Sequence, residues 1–287
     1  MKRIALRSAL MAFFVCTIGL AAPISPEAHT LKMDDRSVVS FDEVVEDLRT
    51  VRLIFIGELH DNEAHHRAQL QIIEALRNAG VPVAVALEMF RSGSQPELDR
   101  WTEGEMSERD FLEVFNANWS MWPVYREIFL HARHHNIPMV GLNIPRSITQ
   151  QVAEGGFASL PPEQAGSLLP VRCDVDEKYQ DFIRLTLGGH GHNGANFYNF
   201  CEAQLLWDGV MAHTLLEYLK THPGMTVVVL AGSGHSWKHG IPEQVRRQSD
   251  LDFRVLLPAV RGRIDPDMVG KEEADYLMLG LEEAPLH

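Results

Sequence analysis

Acidic and imidazole side chains follow several of the apolar segments in this sequence, close to the point where each segment ends. The Gly-x-x-His motifs at residues 57–60 and 232–235 each come directly after a run rich in Ile, Val or Leu. Glu58 lies inside the first motif, and Glu88 ends a third apolar run. If these runs are parallel strands, their carboxyl ends meet at the edge of the sheet where open α/β folds bind ligands. We therefore expect His60 and His235 to lie close to both glutamates.

Two histidines with one or two carboxylates suit a first-row divalent metal that keeps a coordination position open. Such a metal activates water for hydrolysis, whereas without a metal a His–Glu pair acts on water as a general base. The predicted catalytic residues are Glu58, His60, Glu88 and His235, and the predicted metal ligands are His60, His235 and Glu58. The sequence contains no GxSxG, HExxH or P-loop motif, so nothing in it indicates a serine hydrolase, a zincin or a nucleoside triphosphatase.

The apolar runs themselves predict the fold class. Their continuous hydrophobicity is typical of strands that are buried on both faces, as in a parallel sheet. We therefore predict an α/β fold with a mainly parallel sheet of four or five strands, flanked by helices. The predicted strands cover residues 51–57, 83–87, 137–142, 225–230 and 253–257, and residues 274–279 are consistent with a further edge strand.

A helical pattern follows the first strand, over residues 63–78, and Asp61 is positioned to cap it. Its apolar residues are Leu70, Ile72, Ile73 and Leu76. One helical turn or two before this stripe come Gln69 and the pair His65 and His66. We therefore expect Gln69 and one or both of these histidines to face the core, next to the carboxyl end of the first strand.

Residues 147–195 are the least regular part of the sequence, because proline and glycine pairs interrupt them. We predict that this insertion forms a helical cap over the sheet. It contains a glycine-rich loop with His190 and His192. Such a loop can close over a ligand, or it can simply be mobile, and the sequence leaves both alternatives open.

Two further helices carry polar residues of interest. In the helix predicted at residues 196–219, Gln204 and Asp208 extend the apolar stripe, which indicates either a helix start that overhangs a polar site or one that emerges into solvent. The helix predicted at residues 121–136 ends with three histidines, His131, His134 and His135. Histidines at this end favour the helix dipole, which is the simplest explanation for them.

The N-terminus has the form of a targeting segment. Lys2, Arg3 and Arg7 precede an apolar stretch at residues 9–22, and small residues suit cleavage near Ala21. The sequence therefore predicts a signal peptide at residues 1–21 and a location in the periplasm or cell envelope. Membrane attachment is expected only if Cys16 is lipidated, and the residues before it form a poor lipidation motif.

The remaining chain suits one large domain. We divide it into a linker or edge element at residues 22–40, an α/β domain at 41–265 and a C-terminal tail at 266–287. The formal net charge of −13 argues against a nucleic-acid partner. Cys173 and Cys201 can form a disulfide in an oxidising compartment or remain separate buried thiols, and the two alternatives stay open.

In combination, these motifs resemble those of the ChaN-like, iron-regulated haem-binding proteins. The resemblance spans about residues 40–260 and extends to a wider group that includes the Tiki/TraB proteins and the erythromycin esterases. It rests on residues 57–62, His65, His66, Gln69, residues 86–90, Gln204, Asp208 and residues 232–235.

The resemblance implies an exported haem-binding protein that is linked to haem or iron uptake and has haem, and envelope haem-uptake components, as partners. It leaves open a homodimer. Haem ligation requires Tyr, His, Cys or Met at an apolar surface, and Tyr125 and Tyr179 are further candidates as ligands. The predicted cofactor-binding residues are Tyr198, His190, His192, Gln204 and Asp208. The alternative function is a divalent-metal-dependent hydrolase that uses the paired GxxH motifs and the strand-end glutamate, as described for the Tiki branch.

Overall fold

An eight-stranded sheet forms the centre of the computed structural model, which describes residues 29–175, 177–181 and 196–281. The strand order is β2-β1-β8-β7-β3-β6-β4-β5. The strands are β1 His29–Lys32, β2 Val38–Val39, β3 Leu53–Glu58, β4 Val83–Arg91, β5 Met139–Asn143, β6 Thr226–Gly232, β7 Phe253–Pro258 and β8 Tyr276–Leu279. Strands β3 to β8 pair in parallel, and only the pairs that involve β1 are antiparallel. The predicted α/β class with a mainly parallel sheet is confirmed.

The sheet has more strands than the four or five that we predicted. The additional strands are β1, β2 and β8, which have two to four residues each. β1 and β2 are only partly buried. Strands this short lack the long apolar run on which the prediction depended. Strand β8, expected at an edge, lies between β7 and β1, and the segment expected as a linker or edge element contributes β1 and β2.

Helices cover both faces of the sheet. The helices are α1 Phe41–Leu48, α2 Glu63–Asn78, α3 Gln95–Thr102, α4 Glu108–Asn118, α5 Trp122–His134, α6 Arg146–Gly155, α7 Pro162–Ala165, α8 Phe197–Thr221, α9 Ser233–Ser236 and α10 Ile241–Arg246. Asn62, and not Asp61, caps α2, because the Asn62 side chain accepts hydrogen bonds from the amides of Ala64 and His65. Within the described residues, no helix is long and apolar enough to cross a membrane.

Two apolar clusters form the core, one on each face of the sheet. Along β3, Ile54 and Ile56 pack with α1, α2, α4 and α5, whereas Leu53 and Phe55 pack with α8 and α10. This alternation is the period-two geometry of a strand that is buried on both sides. The outer strand β5 is protected at its free edge by one side chain, since Gln95 donates to Met139 O at 2.7 Å and accepts from the Gly141 amide at 3.0 Å.

The described part of the insertion packs on α8. Helix α6, a 3₁₀ turn at Phe157–Ser159 and α7 bury a small third cluster against Leu206 of α8. A disulfide joins Cys173 to Cys201, with their Cα atoms 5.6 Å apart, which decides between the two alternatives for this pair. The predicted loop histidines His190 and His192 lie outside the described residues.

Candidate functional site

Three adjacent parallel strands bring their carboxyl ends together at the site. Strand β6 lies between β3 and β4, and Glu58 at the end of β3 is in register with Gly232 at the end of β6. Glu88 extends from β4 towards the same point, because its Oε2 accepts a hydrogen bond of 2.7 Å from the Gly232 amide. The short helix α9 then carries His235 back over the strand end. The sheet topology therefore creates the predicted proximity.

Glu58 is fully surrounded by hydrogen-bond donors. Its Oε1 accepts from His60 Nδ1 at 2.8 Å and from the Tyr125 hydroxyl, and its Oε2 accepts from Gln69 Nε2 at 2.7 Å. His66 Nδ1 lies 3.4 Å from the same Oε2. Burial alone would raise the pKa of Glu58, but the hydrogen bonds from the two histidines outweigh it and hold the pKa well below its usual range. Glu58 is therefore an ionised carboxylate, and both of its oxygens accept hydrogen bonds from neighbouring side chains.

His235 lies between two other buried carboxylates. Its Nδ1 lies 2.6 Å from Asp208 Oδ1, and its Nε2 lies 3.7 Å from Glu88 Oε1. The Tyr179 hydroxyl donates to the second oxygen of Asp208 at 3.3 Å. Burial would lower the pKa of His235, but Glu88 and Asp208 outweigh it and raise the pKa to about 9. Burial also raises the pKa of Asp208, although His235 opposes this shift. We therefore treat His235 as protonated near neutral pH.

The two halves of the site share one design. Each contains a histidine whose Nδ1 faces a buried carboxylate, and a tyrosine that donates to that carboxylate. The two units are His60–Glu58–Tyr125 and His235–Asp208–Tyr179. Both units face Glu88, and we call the five titratable residues Glu58, His60, Glu88, Asp208 and His235 the strand-end cluster. In both units the arrangement fixes the histidine ring. His235 Nε2 lies 3.7 Å from Glu88 Oε1, and His60 Nε2 and Glu88 Oε2 both lie beside Gly232.

Gly232 keeps the centre of the strand-end cluster open. A Cβ atom at this position would lie 3.1 Å from His60 Nε2 and 3.6 Å from Glu88 Oε2. Access from solvent is on the His60 side, because its side chain is 33 % exposed and that of His235 is 10 % exposed. Trp119 stands edge-on to His60, with ring centroids 5.0 Å apart, and Trp207 stands in the same way to His235 at 5.1 Å. Two aromatic rings therefore flank the imidazole groups of the strand-end cluster, one at each histidine.

The structure does not assemble the predicted metal ligands around one point. His60 directs Nδ1 to Glu58 and Nε2 towards Gly232 and Glu88, so Glu58 and the free side of His60 are on opposite sides of the ring. Among residues 29–175, 177–181 and 196–281, no group of three or more His, Cys, Asp or Glu side chains has an arrangement that could hold a metal ion. The trio His60, His235 and Glu58 stays a prediction from the sequence.

The predicted cofactor-binding residues fall into separate places. Tyr198 is in the first turn of α8 and is 65 % exposed. Asp208, ten residues further along the same helix and so about 15 Å away, is buried in the strand-end cluster. Gln204 lies between them and is also buried. The structure therefore separates the exposed tyrosine from the buried polar residues.

Tyr125 and Tyr179 were missed as partners of the carboxylates. In this conformation neither tyrosine is available to bind haem iron, because both hydroxyls are buried and donate hydrogen bonds to Glu58 and Asp208. No periodic pattern links either tyrosine to its partner. Tyr125 belongs to the buried stripe of α5, which indicates an inward direction but not the carboxylate that it meets.

The raised pKa of His235 predicts that stability depends on pH. The folded state keeps a proton that the unfolded chain releases near pH 6.5, so the stabilisation is complete below that pH and is lost as the pH rises towards about 9. His60 and His66, whose pKa values are also raised, act in the same direction, whereas His65, His131 and His135, whose pKa values are lowered, act in the opposite direction. We expect the contribution of His235 to the free energy of unfolding to fall by about 2 kcal/mol between roughly pH 6 and pH 8. Urea unfolding across this range measures it.

The matched variants for this measurement are H235Q and H213Q, since His213 is an exposed histidine on α8. H213Q should keep the dependence of the parent on pH, whereas the difference in stability between the parent and H235Q should shrink by about 2 kcal/mol from roughly pH 6 to pH 8. A difference between the parent and H235Q that is constant over this range would contradict the assignment of the proton to His235.

Comparison with known proteins adds the family to this geometry. Residues 44–245 match the family model described as haem-binding uptake, Tiki superfamily, ChaN. None of the curated proteins matches the sequence significantly.

Among solved structures, ChaN of Campylobacter jejuni, described for its cofacial haem binding, is 22 % identical with a TM-score of 0.70, over 89 % of this chain and 98 % of that chain. The type III effector HopBA1 is 13 % identical with a TM-score of 0.49, over 84 % and 93 % of the two chains. An erythromycin esterase, EreC, in its open conformation is also 13 % identical with a TM-score of 0.49, over 80 % and 76 %. The likeness to the Campylobacter protein shows a shared fold.

Proposed function

Because this chain belongs to the haem-binding uptake family of the Tiki superfamily that includes ChaN, we propose that it binds haem in the cell envelope and contributes to haem or iron uptake. The observation that carries the proposal is the family match. It covers residues 44–245 and therefore the four strands β3, β4, β5 and β6. The signal peptide that the sequence predicts at residues 1–21 supports the location. Haem is here the cargo of the protein.

Tyr198 is the residue that we propose as the ligand of the haem iron. The chain has five tyrosines, all in the described part, and Tyr198 is the only one whose side chain is exposed. A phenol oxygen is one of the protein ligands that haem iron accepts. Phe197 stands edge-on to Tyr198, with ring centroids 5.5 Å apart, and adds apolar surface beside the phenol. These features fit a haem that lies on the surface at the start of α8.

An exposed ligand also fits contact between two haem groups. The Campylobacter protein is described as binding haem cofacially, which requires the face of one haem to be accessible to another. A ligand in the first turn of α8, at the surface, allows such access, whereas a closed pocket would prevent it. We therefore propose that a second copy of this chain approaches the same surface when haem is bound.

The hydrolase alternative is not proposed. It depended on the strand-end cluster, and that cluster is present, but the family match favours haem binding and not hydrolysis. The geometry adds a reason of its own, since Glu58 and Asp208 are each held by several hydrogen bonds inside the protein. We propose that these two carboxylates orient their histidines and stabilise the carboxyl ends of the strands.

The haem proposal is tested by titration of the purified protein with haemin, followed by absorbance. We expect a saturable change of the Soret band in the parent protein. Y198F removes the oxygen that we assign to the iron and should weaken binding at least about tenfold, the equivalent of about 1.4 kcal/mol. Y218F is the matched control, because the Tyr218 hydroxyl is buried and has no hydrogen-bond partner in the described structure.

Two outcomes would contradict different parts of the proposal. A parent protein that shows only a broad, non-saturating change does not bind haem specifically, and the function is then wrong. Saturable binding that Y198F leaves unchanged keeps the function but rejects Tyr198 as the ligand. Circular dichroism of both variants, expected to match the parent, separates loss of the ligand from loss of the fold.

A further inference from the structure

Three histidines at the end of α5 lie away from the strand-end cluster. Helix α5 runs back along the sheet, so the segment after it leads directly into the start of β5, at the opposite edge from the strand ends. His131 and His135 are one helical turn apart, and the His135 amide donates to His131 O at 3.1 Å. Their rings are close, with centroids 4.4 Å apart. Two imidazoles at this spacing share one face of the helix.

A carboxylate lies close to one ring nitrogen of His131. Glu74 on the neighbouring helix α2 places Oε1 3.4 Å from His131 Nδ1. This negative charge favours the tautomer that has its hydrogen on Nδ1 and its lone pair on Nε2. That Nε2 atom is buried and has no hydrogen-bond partner. A carboxylate behind one ring nitrogen and a free lone pair on the other is the usual arrangement of a histidine that binds a metal.

The charge state of the pair also suits metal binding. Burial, followed by repulsion from His135, Arg77 and His134, lowers the pKa of His131 to about 4. Burial, with Arg77 and His134, also lowers the pKa of His135. Both imidazoles are therefore neutral at pH 7 and carry free lone pairs. The lowered pKa values of His131 and His135 weaken the expected interaction with the helix dipole, which is strongest for protonated histidines.

We infer that His131 and His135 form a binding site for one divalent transition-metal ion of the imidazole-preferring class, such as Zn²⁺, Ni²⁺ or Cu²⁺. Imidazole is a good ligand for these ions and a poor one for Mg²⁺ or Ca²⁺. Two histidines four residues apart on a helix chelate one ion from the same face. Glu74 orients His131, and water completes the coordination. The site does not depend on haem, since it lies at the other edge of the sheet.

The test uses the untagged full chain after treatment with a chelator. Equilibrium dialysis against Zn²⁺, repeated with Ni²⁺, counts the ions bound per chain. We expect H135Q to lose one equivalent, because it removes the more exposed ligand without opening the core. E74Q keeps both imidazoles but loses the charge behind His131, and should bind about tenfold more weakly. H213Q is the matched control and should bind like the parent.

A second measurement gives a readout that does not require counting. A ligand that binds only the folded state raises the melting temperature, so Zn²⁺ should stabilise the parent and H60Q but not H135Q. The variant H60Q shows whether the strand-end cluster accounts for the bound ion. The inference is overturned if the parent binds no Zn²⁺ or Ni²⁺, or if H135Q keeps both the full stoichiometry and the full shift in melting temperature.

Discussion

Replacing Glu58 with alanine is expected to lower the free energy of unfolding by about 3–5 kcal/mol, the range for breaking a buried charged pair by removing one partner. The side chain is buried and is contacted by four side-chain donors, from His60, His66, Gln69 and Tyr125. Without the carboxylate, the Tyr125 hydroxyl, His60 and Gln69 lose their shortest hydrogen bonds. Gln69 Nε2 keeps only Ile56 O at 3.4 Å as an acceptor, and His66 Nδ1 keeps Gln69 Oε1 at 3.1 Å. Urea unfolding of the parent and of E58A measures the loss.

Two control variants show how much of the stability lost in E58A comes from the buried carboxylate. E58Q keeps the size of the side chain and one oxygen acceptor, and should lose only about 1–3 kcal/mol. E127A removes a glutamate that is exposed and paired only at the surface, and should change stability by less than about 0.5 kcal/mol. If E58A were no less stable than E127A, the hydrogen-bond network around Glu58 would not contribute to the fold.

Removal of the disulfide should have the second largest effect. The bond between Cys173 and Cys201 closes a loop with a sequence separation of 28 residues. Loop-closure entropy predicts that a cross-link of this length contributes about 3–4 kcal/mol by restricting the unfolded chain. The double variant C173S/C201S should lose this amount, measured by urea unfolding without reductant.

The redox state supplies the control for this prediction. Adding a dithiol reductant should destabilise the parent by a similar amount and leave C173S/C201S unchanged. Equal stability of the parent with and without reductant, while its thiols titrate as reduced, would show that the cross-link contributes nothing. Loss of stability in the double variant alone would then reflect the serine replacements, since Cys201 is fully buried.

Periodic patterns predicted much of the fold and the position of the strand ends. The stripe of α2 placed His66 and Gln69 towards the core, and both are buried beside Glu58. The Gly-x-x-His motifs after two strands predicted that His60 and His235 would meet near Glu88, and they do. These features follow from local regularities, in which the helical period of 3.6 and the parallel strand order fix side-chain directions.

Pairing over long sequence distances was not predictable in the same way. Asp208 was expected to bind cofactor, but it faces His235, and Tyr179 and Tyr125 each meet a carboxylate that no spacing indicates. Which carboxylate or histidine Tyr125 and Asp208 meet depends on how helices α5 and α8 are rotated against the sheet. Likewise the strands β1 and β2 are too short to produce a pattern. β1 pairs with the edge that β8 offers, and β2 then pairs with β1.

The position of β3 in the sheet has a consequence for the order in which the chain can fold. Its two neighbours are β6 and β7, which follow it by more than half of the chain. During synthesis of the chain, both edges of β3 therefore stay unpaired until β6 and β7 have been made. Until then Glu58 is not buried and Gly232 does not lie beside it. Contacts this distant in sequence form slowly, and an unpaired apolar strand is a site for wrong association. A chain with this topology therefore needs β6 and β7, which lie in its C-terminal third, before β3 can pair on either edge.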